Sequence, residues 1–139
     1  MKTYKLKTNS KKLLADTFTP VSVYLKIRDK YPNSLLLESS DYHANDNSFS
    51  FICFNPIAHF SVENNIIIKQ YPDHSIVKTN IQDKNVMDEL SQFSKQFEIE
   101  TDSYKFINNG LFGYISYDAV QYFEKITIKE KSIENVQLD

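Results

Sequence analysis

Few side chains in this 139-residue sequence stand where they could do chemistry, and the sharpest pair is a carboxylate beside a hydroxyl, Glu38-Ser39, directly after Leu35, Leu36 and Leu37. A carboxylate closing an apolar run is costly if buried alone, so Glu38 either reaches solvent or meets a donor, a ligand ammonium among them. From the residues alone, solvent is the simpler reading. His43, His59 and His74 fall in separate segments, without the short spacing of a metal site on one element. The acidic run from Asp41 to Asn47 lacks the glycine and the distal glutamate of a calcium loop. Cys53, the only cysteine, lies in the apolar run Phe51 to Phe54, where it has no disulfide partner and reads as an inert thiol. The two glycines, Gly110 and Gly113, do not have the spacing of a nucleophile elbow, lack the third glycine of a dinucleotide fingerprint and are not followed by the lysine of a phosphate loop. No catalytic centre and no metal site emerge from these patterns.

The stretch Asn109 to Glu124 holds both glycines and Tyr114, Tyr117 and Tyr122. Gly110 and Gly113 suit backbone that needs a positive φ or must approach another segment closely, and the plain alternative is a packing glycine in a core strand. Past them the period changes: Tyr117, Val120, Tyr122 and Phe123 fit a short helix that Ser116 could cap, with Asp118 in its first turn. The expectation is strand, turn, helix.

Stepping outward, the remaining elements follow from periodicity. Tyr4 and Leu6 alternate with polar residues as in a half-buried edge strand. Thr19-Pro20 is an N-cap followed by proline at the first helical position, with Val21, Tyr24, Leu25 and Arg28 on one face and Tyr31-Pro32 as the stop. The leucine run suggests a strand buried on both faces. Ser48 to Phe54 reads as a strand turned by Asn55-Pro56. Residues 57–62 and 66–71 flank Glu63-Asn64-Asn65 as a hairpin, and residues 75–80 extend the meander. Asn85 caps a helix whose stripe is Val86, Leu90, Phe93 and Phe97.

Composition bounds the class. With 41% hydrophobic and 14% aromatic residues, the chain can bury a core and is expected to fold as one unit. A net charge of −2 with both signs interspersed gives no field to attract nucleic acid or a membrane surface. With no apolar run of membrane-spanning length and no secretory core, a cytoplasmic location is expected. Residues 126–139, charged and without a capping element, read as the start of a linker after a domain of residues 1–125. The sum is an α+β fold: a mainly antiparallel sheet with helices on one face.

Three blocks stand in order: Pro20 to Arg28 followed by Leu35 to Ser39, then Ser48 to Pro56 with its Asn55-Pro56 turn, then Gly110 to Glu124. Together they resemble the amino-terminal domain of component I of anthranilate synthase. Departures are Asn109 where a glycine is usual, Gln121 where arginine is common, and Asn47 near a frequent arginine. The resemblance implies a role in tryptophan biosynthesis, in which the full enzyme makes anthranilate and pyruvate from chorismate and ammonia delivered by a glutamine amidotransferase subunit. It implies that magnesium and chorismate are held by a catalytic domain outside this chain, with no cofactor in the fragment, and that the sheet packs on a matching sheet of that domain as half of a layered sandwich. It also implies that Glu38 and Ser39 take part in binding L-tryptophan as feedback inhibitor, which replaces the solvent reading of Glu38. Asn55, Pro56, Gly110, Gly113, Tyr114, Tyr117 and Asp118 are its structural motif residues. The fragment alone is expected to be inactive and to self-associate through its uncovered face. The competing readings are the related aminodeoxychorismate synthase and a non-enzymatic β-rich binding module; Glu38-Ser39 speaks against the former.

Overall fold

The computed structural model describes residues 2–38, 49–99, 109–124 and 136–138. In chain order the elements are β1 (Tyr4–Leu6), α1 (Pro20–Ile27), β2 (Leu35–Glu38), β3 (Ser50–Cys53), β4 (His59–Glu63), β5 (Ile66–Gln70), β6 (Ile76–Asn80), α2 (Val86–Ser94), β7 (Phe97–Ile99) and β8 (Val136–Leu138). Short 3₁₀ turns span Ile81–Asp83 and Tyr117–Tyr122. The fold is α+β, and every described strand pair is antiparallel except β1 with β7. The chain divides into two compact units, residues 10–56 and residues 1–9 with 57–139.

The larger unit is built on a four-stranded sheet in the order β6-β5-β4-β8. Its central hairpin turns at Asn64 and Asn65, whose φ values of 50° and 61° are left-handed. Two such residues in succession make the turn whose twist matches that of its strands, and asparagine tolerates the geometry better than most residues. In the register, Phe60 faces Lys69 and Val62 faces Ile67, so these four share one side of the sheet. Helix α2 lies on that side. Asn85 caps it by accepting from the amides of Met87 and Asp88, and it contributes Val86 and Phe93 to the core of Phe60, Val62, Ile67 and Tyr71. Phe93 is fully buried and meets Phe60, Tyr71 and Phe97 at ring separations of 5.6, 5.4 and 5.2 Å. Replacing it by alanine would cost about 3–5 kcal/mol. Strand β1 joins through Tyr4, which stacks on Tyr71 and Phe97, each at 5.6 Å.

The smaller unit is the antiparallel β2–β3 hairpin with α1 packed against it. Thr19 and Ser22 form a reciprocal capping box at the start of α1, with Pro20 in its first turn.

Several expectations are corrected. Phe97 lies in β7 and not on the α2 stripe, because the helix is closed at Lys95 by bonds to Ser91 and Phe93. Helix α1 ends at Ile27, a turn before Tyr31-Pro32, where the amides of Lys30 and Tyr31 both turn back to the Ile27 carbonyl. The leucine run is half-buried and not enclosed on both faces, since a two-stranded hairpin and a two-turn helix offer too little cover. Gly110 and Gly113 stand exposed outside any strand, and no described glycine has a positive φ. Left-handed geometry falls instead to Asn55, Asn64, Asn65 and His74. The segment before Ser116 is irregular, so strand, turn, helix reduces to a loop and a 3₁₀ turn whose N-cap residue makes no side-chain capping bond. Within residues 126–139, Val136–Leu138 pair with β4.

Candidate ligand site on the hairpin

Glu38 is the last residue of β2 and is exposed. The register sets it directly opposite Ser50, the first residue of β3, which is also exposed; Leu36 stands opposite Ile52. Residues opposite one another in an antiparallel pair share a face, as do residues two apart on a strand. One face of the hairpin therefore carries Leu36, Glu38, Ser50 and Ile52. The other carries Leu35, Leu37, Phe51 and Cys53. The first face thus offers an anionic acceptor and a hydroxyl at one end and an apolar shelf beyond them. Burial pushes the Cys53 thiol upward, which keeps it protonated and unreactive.

Ser39 and Asn47 lie outside the described residues. Asn55 has a φ of 53° and turns the chain out of β3 into exposed Pro56, with Phe54 against Tyr31 at 4.9 Å just before it. In the larger unit, Tyr114 and Asp118 are exposed and Tyr117 is 88% exposed, so these motif residues converge on no buried site. What the 3₁₀ turn buries is Ala119, with the Gln121 amide donating to the Asp118 carbonyl. Asn109, at the departed glycine position, donates to the Thr8 hydroxyl at 2.8 Å.

Two charged clusters escaped notice in the sequence. Lys69 on β5 and Glu89 on α2 form a salt bridge in the interior, each side chain under 10% exposed, with the more exposed Lys84 at 3.8 Å on the rim. The signal was present: Glu89 falls three residues after Val86 and four before Phe93, in phase with the helix stripe, and Lys69 falls two after Ile67 on the core face of its strand. At the other cluster, Asp73 accepts from Lys2, Tyr4 and Ser75, which holds its carboxyl well below the usual range and raises the Lys2 ammonium. These clusters tie elements together. Among the described residues no three His, Cys, Asp or Glu side chains gather to hold a metal, and no helix is long and apolar enough to cross a membrane.

The class defined here is a small α+β domain with a mixed polar and apolar hairpin face and no assembled catalytic cluster among the described residues. Comparison with known proteins sharpens this. The chain is 32% identical over 117 residues to anthranilate synthase component 1 of Lactococcus lactis, covering 84% of this chain. It is 31% identical over 121 residues to that of Neisseria meningitidis serogroup B and 32% identical over 111 residues to that of Methanothermobacter marburgensis, covering 86% and 80% of this chain. It spans only 24%, 24% and 23% of those proteins' lengths. No family model matches the chain, and no solved structure does. By sequence the chain groups with the anthranilate synthase component 1 proteins, matching a segment of about a quarter of their length.

Proposed function

We propose that this chain is the tryptophan-sensing, regulatory domain of an anthranilate synthase that makes anthranilate and pyruvate from chorismate, with ammonia from a glutamine amidotransferase subunit. The observation that carries the reading is the exposed Glu38 at the mouth of a half-apolar hairpin face, within a chain similar along 80–86% of its length to that family. An ionised carboxylate accepts only, and an amino acid's ammonium gives it charge-assisted bonds stronger than neutral ones. Leucines beside an indole remove apolar surface from water, and the hydroxyl of Ser39 fixes orientation. Chemistry on chorismate belongs to a catalytic domain beyond this chain. A cytoplasmic location goes with such a biosynthetic role.

The test is made on the enzyme that carries this domain. Glu38→Ala and Ser39→Ala should each weaken tryptophan inhibition by about 1–3 kcal/mol in binding, with turnover in the absence of tryptophan little changed. Retention of the parent inhibition constant by both variants would show the assignment to be wrong. The 139-residue chain alone should form no anthranilate from chorismate, magnesium and ammonium, followed by product fluorescence.

A further inference from the structure

We infer that Asn109-Gly110 is a site of spontaneous covalent modification, where asparagine is converted through a cyclic imide to aspartate and isoaspartate, and that the contact of Asn109 with Thr8 sets the rate. The site is independent of the tryptophan reading. Its chemistry begins at the backbone nitrogen of the residue after an asparagine. As that N–H gives its proton to a solvent base, the nitrogen attacks the asparagine Cγ. The N–Cγ bond forms, the Cγ–Nδ2 bond breaks, and the amide nitrogen leaves as ammonia. Water then opens the imide at its side-chain carbonyl to give aspartate, or at its backbone carbonyl to give isoaspartate, in which the main chain runs through Cγ. In sum an amide and water give a carboxylic acid and ammonia, so water is the only co-reactant.

The attacking nitrogen must be unhindered and its backbone free to turn, and glycine meets both conditions because it has no Cβ. Asn109 is the single asparagine of the chain that precedes a glycine, and Gly110 is exposed in an irregular segment. Elsewhere the step is blocked or hindered. Asn55 precedes Pro56, which has no N–H to lose. Asn65, Asn80 and Asn85 precede the β-branched Ile66, Ile81 and Val86, and the side chains of Asn80 and Asn85 are held as caps by the amides they accept from. Ser34, after Asn33, is buried with its amide bound to the Tyr31 carbonyl. Asn9-Ser10 is the nearest rival, with Asn9 exposed but a Cβ beside the attacking nitrogen. Asn109 is half-buried, and the nitrogen that would leave, Nδ2, donates to the Thr8 hydroxyl at 2.8 Å. The carboxamide must swing from that partner to bring Cγ onto the Gly110 nitrogen, so Thr8 acts as a brake. The two products then differ. Aspartate can only accept, and the Thr8 hydroxyl can turn to donate to it, so that tether survives with its direction reversed. Isoaspartate shifts the carboxyl on a lengthened main chain and loses the tether.

The experiment incubates the full chain in mildly alkaline buffer and follows it by peptide mapping, with a mass-spectrometric fragmentation that separates isoaspartate from aspartate. Conversion should appear first at Asn109 and yield both products, and Gly110→Ala should remove most of it. Thr8→Ala should speed conversion about two- to tenfold, the worth of one neutral hydrogen bond expressed as a rate, while Thr8→Ser, which keeps the acceptor, should stay close to the parent. Circular dichroism at the start of each incubation checks that the variants are folded. Unfolding the parent in urea should accelerate conversion at least as much as Thr8→Ala does, which measures the brake without any substitution. No conversion, conversion that begins at Asn9 or another asparagine, or a Gly110→Ala variant that converts at the parent's rate would overturn the site. A folded Thr8→Ala variant and a urea-unfolded parent that both convert no faster than the native chain would overturn the role of Thr8.

Discussion

Glu89→Gln is the most demanding test of how the larger unit is held together. Glu89 pairs in the interior with Lys69, and the side chains are 7% and 9% exposed. Glutamine keeps the shape and a hydrogen-bonding group but removes the charge, leaving an ammonium buried beside Phe60 on the core face of β5. Removing one member of a buried pair costs about 3–5 kcal/mol, because the remaining charge keeps its desolvation penalty and loses its compensation. Lys84, a second cation, cannot compensate the orphaned ammonium; its own contact with Glu89, at 3.8 Å and with Lys84 55% exposed, belongs to the solvent-screened class, worth under about 1 kcal/mol, so Lys84→Ala is the mild control. Against a typical total of about 5–15 kcal/mol, the loss is a large fraction of stability. In urea, with a slope of about 1–3 kcal/mol per molar, the midpoint should fall by at least about 1 M. Near-ultraviolet circular dichroism reads it directly, since the chain has no tryptophan and Tyr4 and Tyr71 stack within this unit. The double variant Lys69→Met with Glu89→Leu should recover most or all of the loss, because apolar residues of similar volume carry no desolvation debt. A Glu89→Gln cost below about 1 kcal/mol, or a double variant less stable than the single, would refute the reasoning.

Asn65→Ala should destabilise the β4–β5 hairpin by about 1–2 kcal/mol, because alanine at a φ of 61° suffers the left-handed clash, while Asn65→Gly should be neutral or better; thermal unfolding separates the two. The Lys2–Asp73 contact should make stability depend on pH at both ends. The lowered Asp73 carboxyl contributes above the ordinary aspartate range and is lost as pH falls through its depressed value, whereas the raised Lys2 ammonium contributes below the ordinary lysine range and is lost as pH rises through its elevated value. Asp73→Asn should flatten the acid limb of a stability-against-pH curve, and salt should weaken the contact because it is exposed. The isolated chain should self-associate at micromolar concentrations through exposed apolar side chains such as Leu14 and Leu25, and sedimentation velocity showing only monomer would defeat this.

Sequence alone determined the elements whose signals are local. Thr19-Pro20 gives a cap and a preset φ, Asn85 gives acceptors for two free amides, and Asn64-Asn65 gives a left-handed turn. Each acts within a few residues of itself and appears where expected. The family was legible for a related reason: three short blocks in fixed order carry it, and order survives without knowledge of contacts. Glu38 at the end of an apolar run was likewise visible as a carboxylate in need of an explanation. Tertiary structure decided what depends on distant partners. Phe97 continues the helical period of α2, yet pairing with β1 draws it into a strand. The leucine run looks enclosed because apolar composition reports preference for burial, whereas burial itself requires neighbouring elements that this hairpin lacks among the described residues. Lys69 and Glu89 are ordinary charges twenty residues apart until the sheet and helix bring them face to face. Which residues share a face with Glu38 is decided by register, since a shift of one residue would have sent Ser50 and Ile52 to the other side of the hairpin.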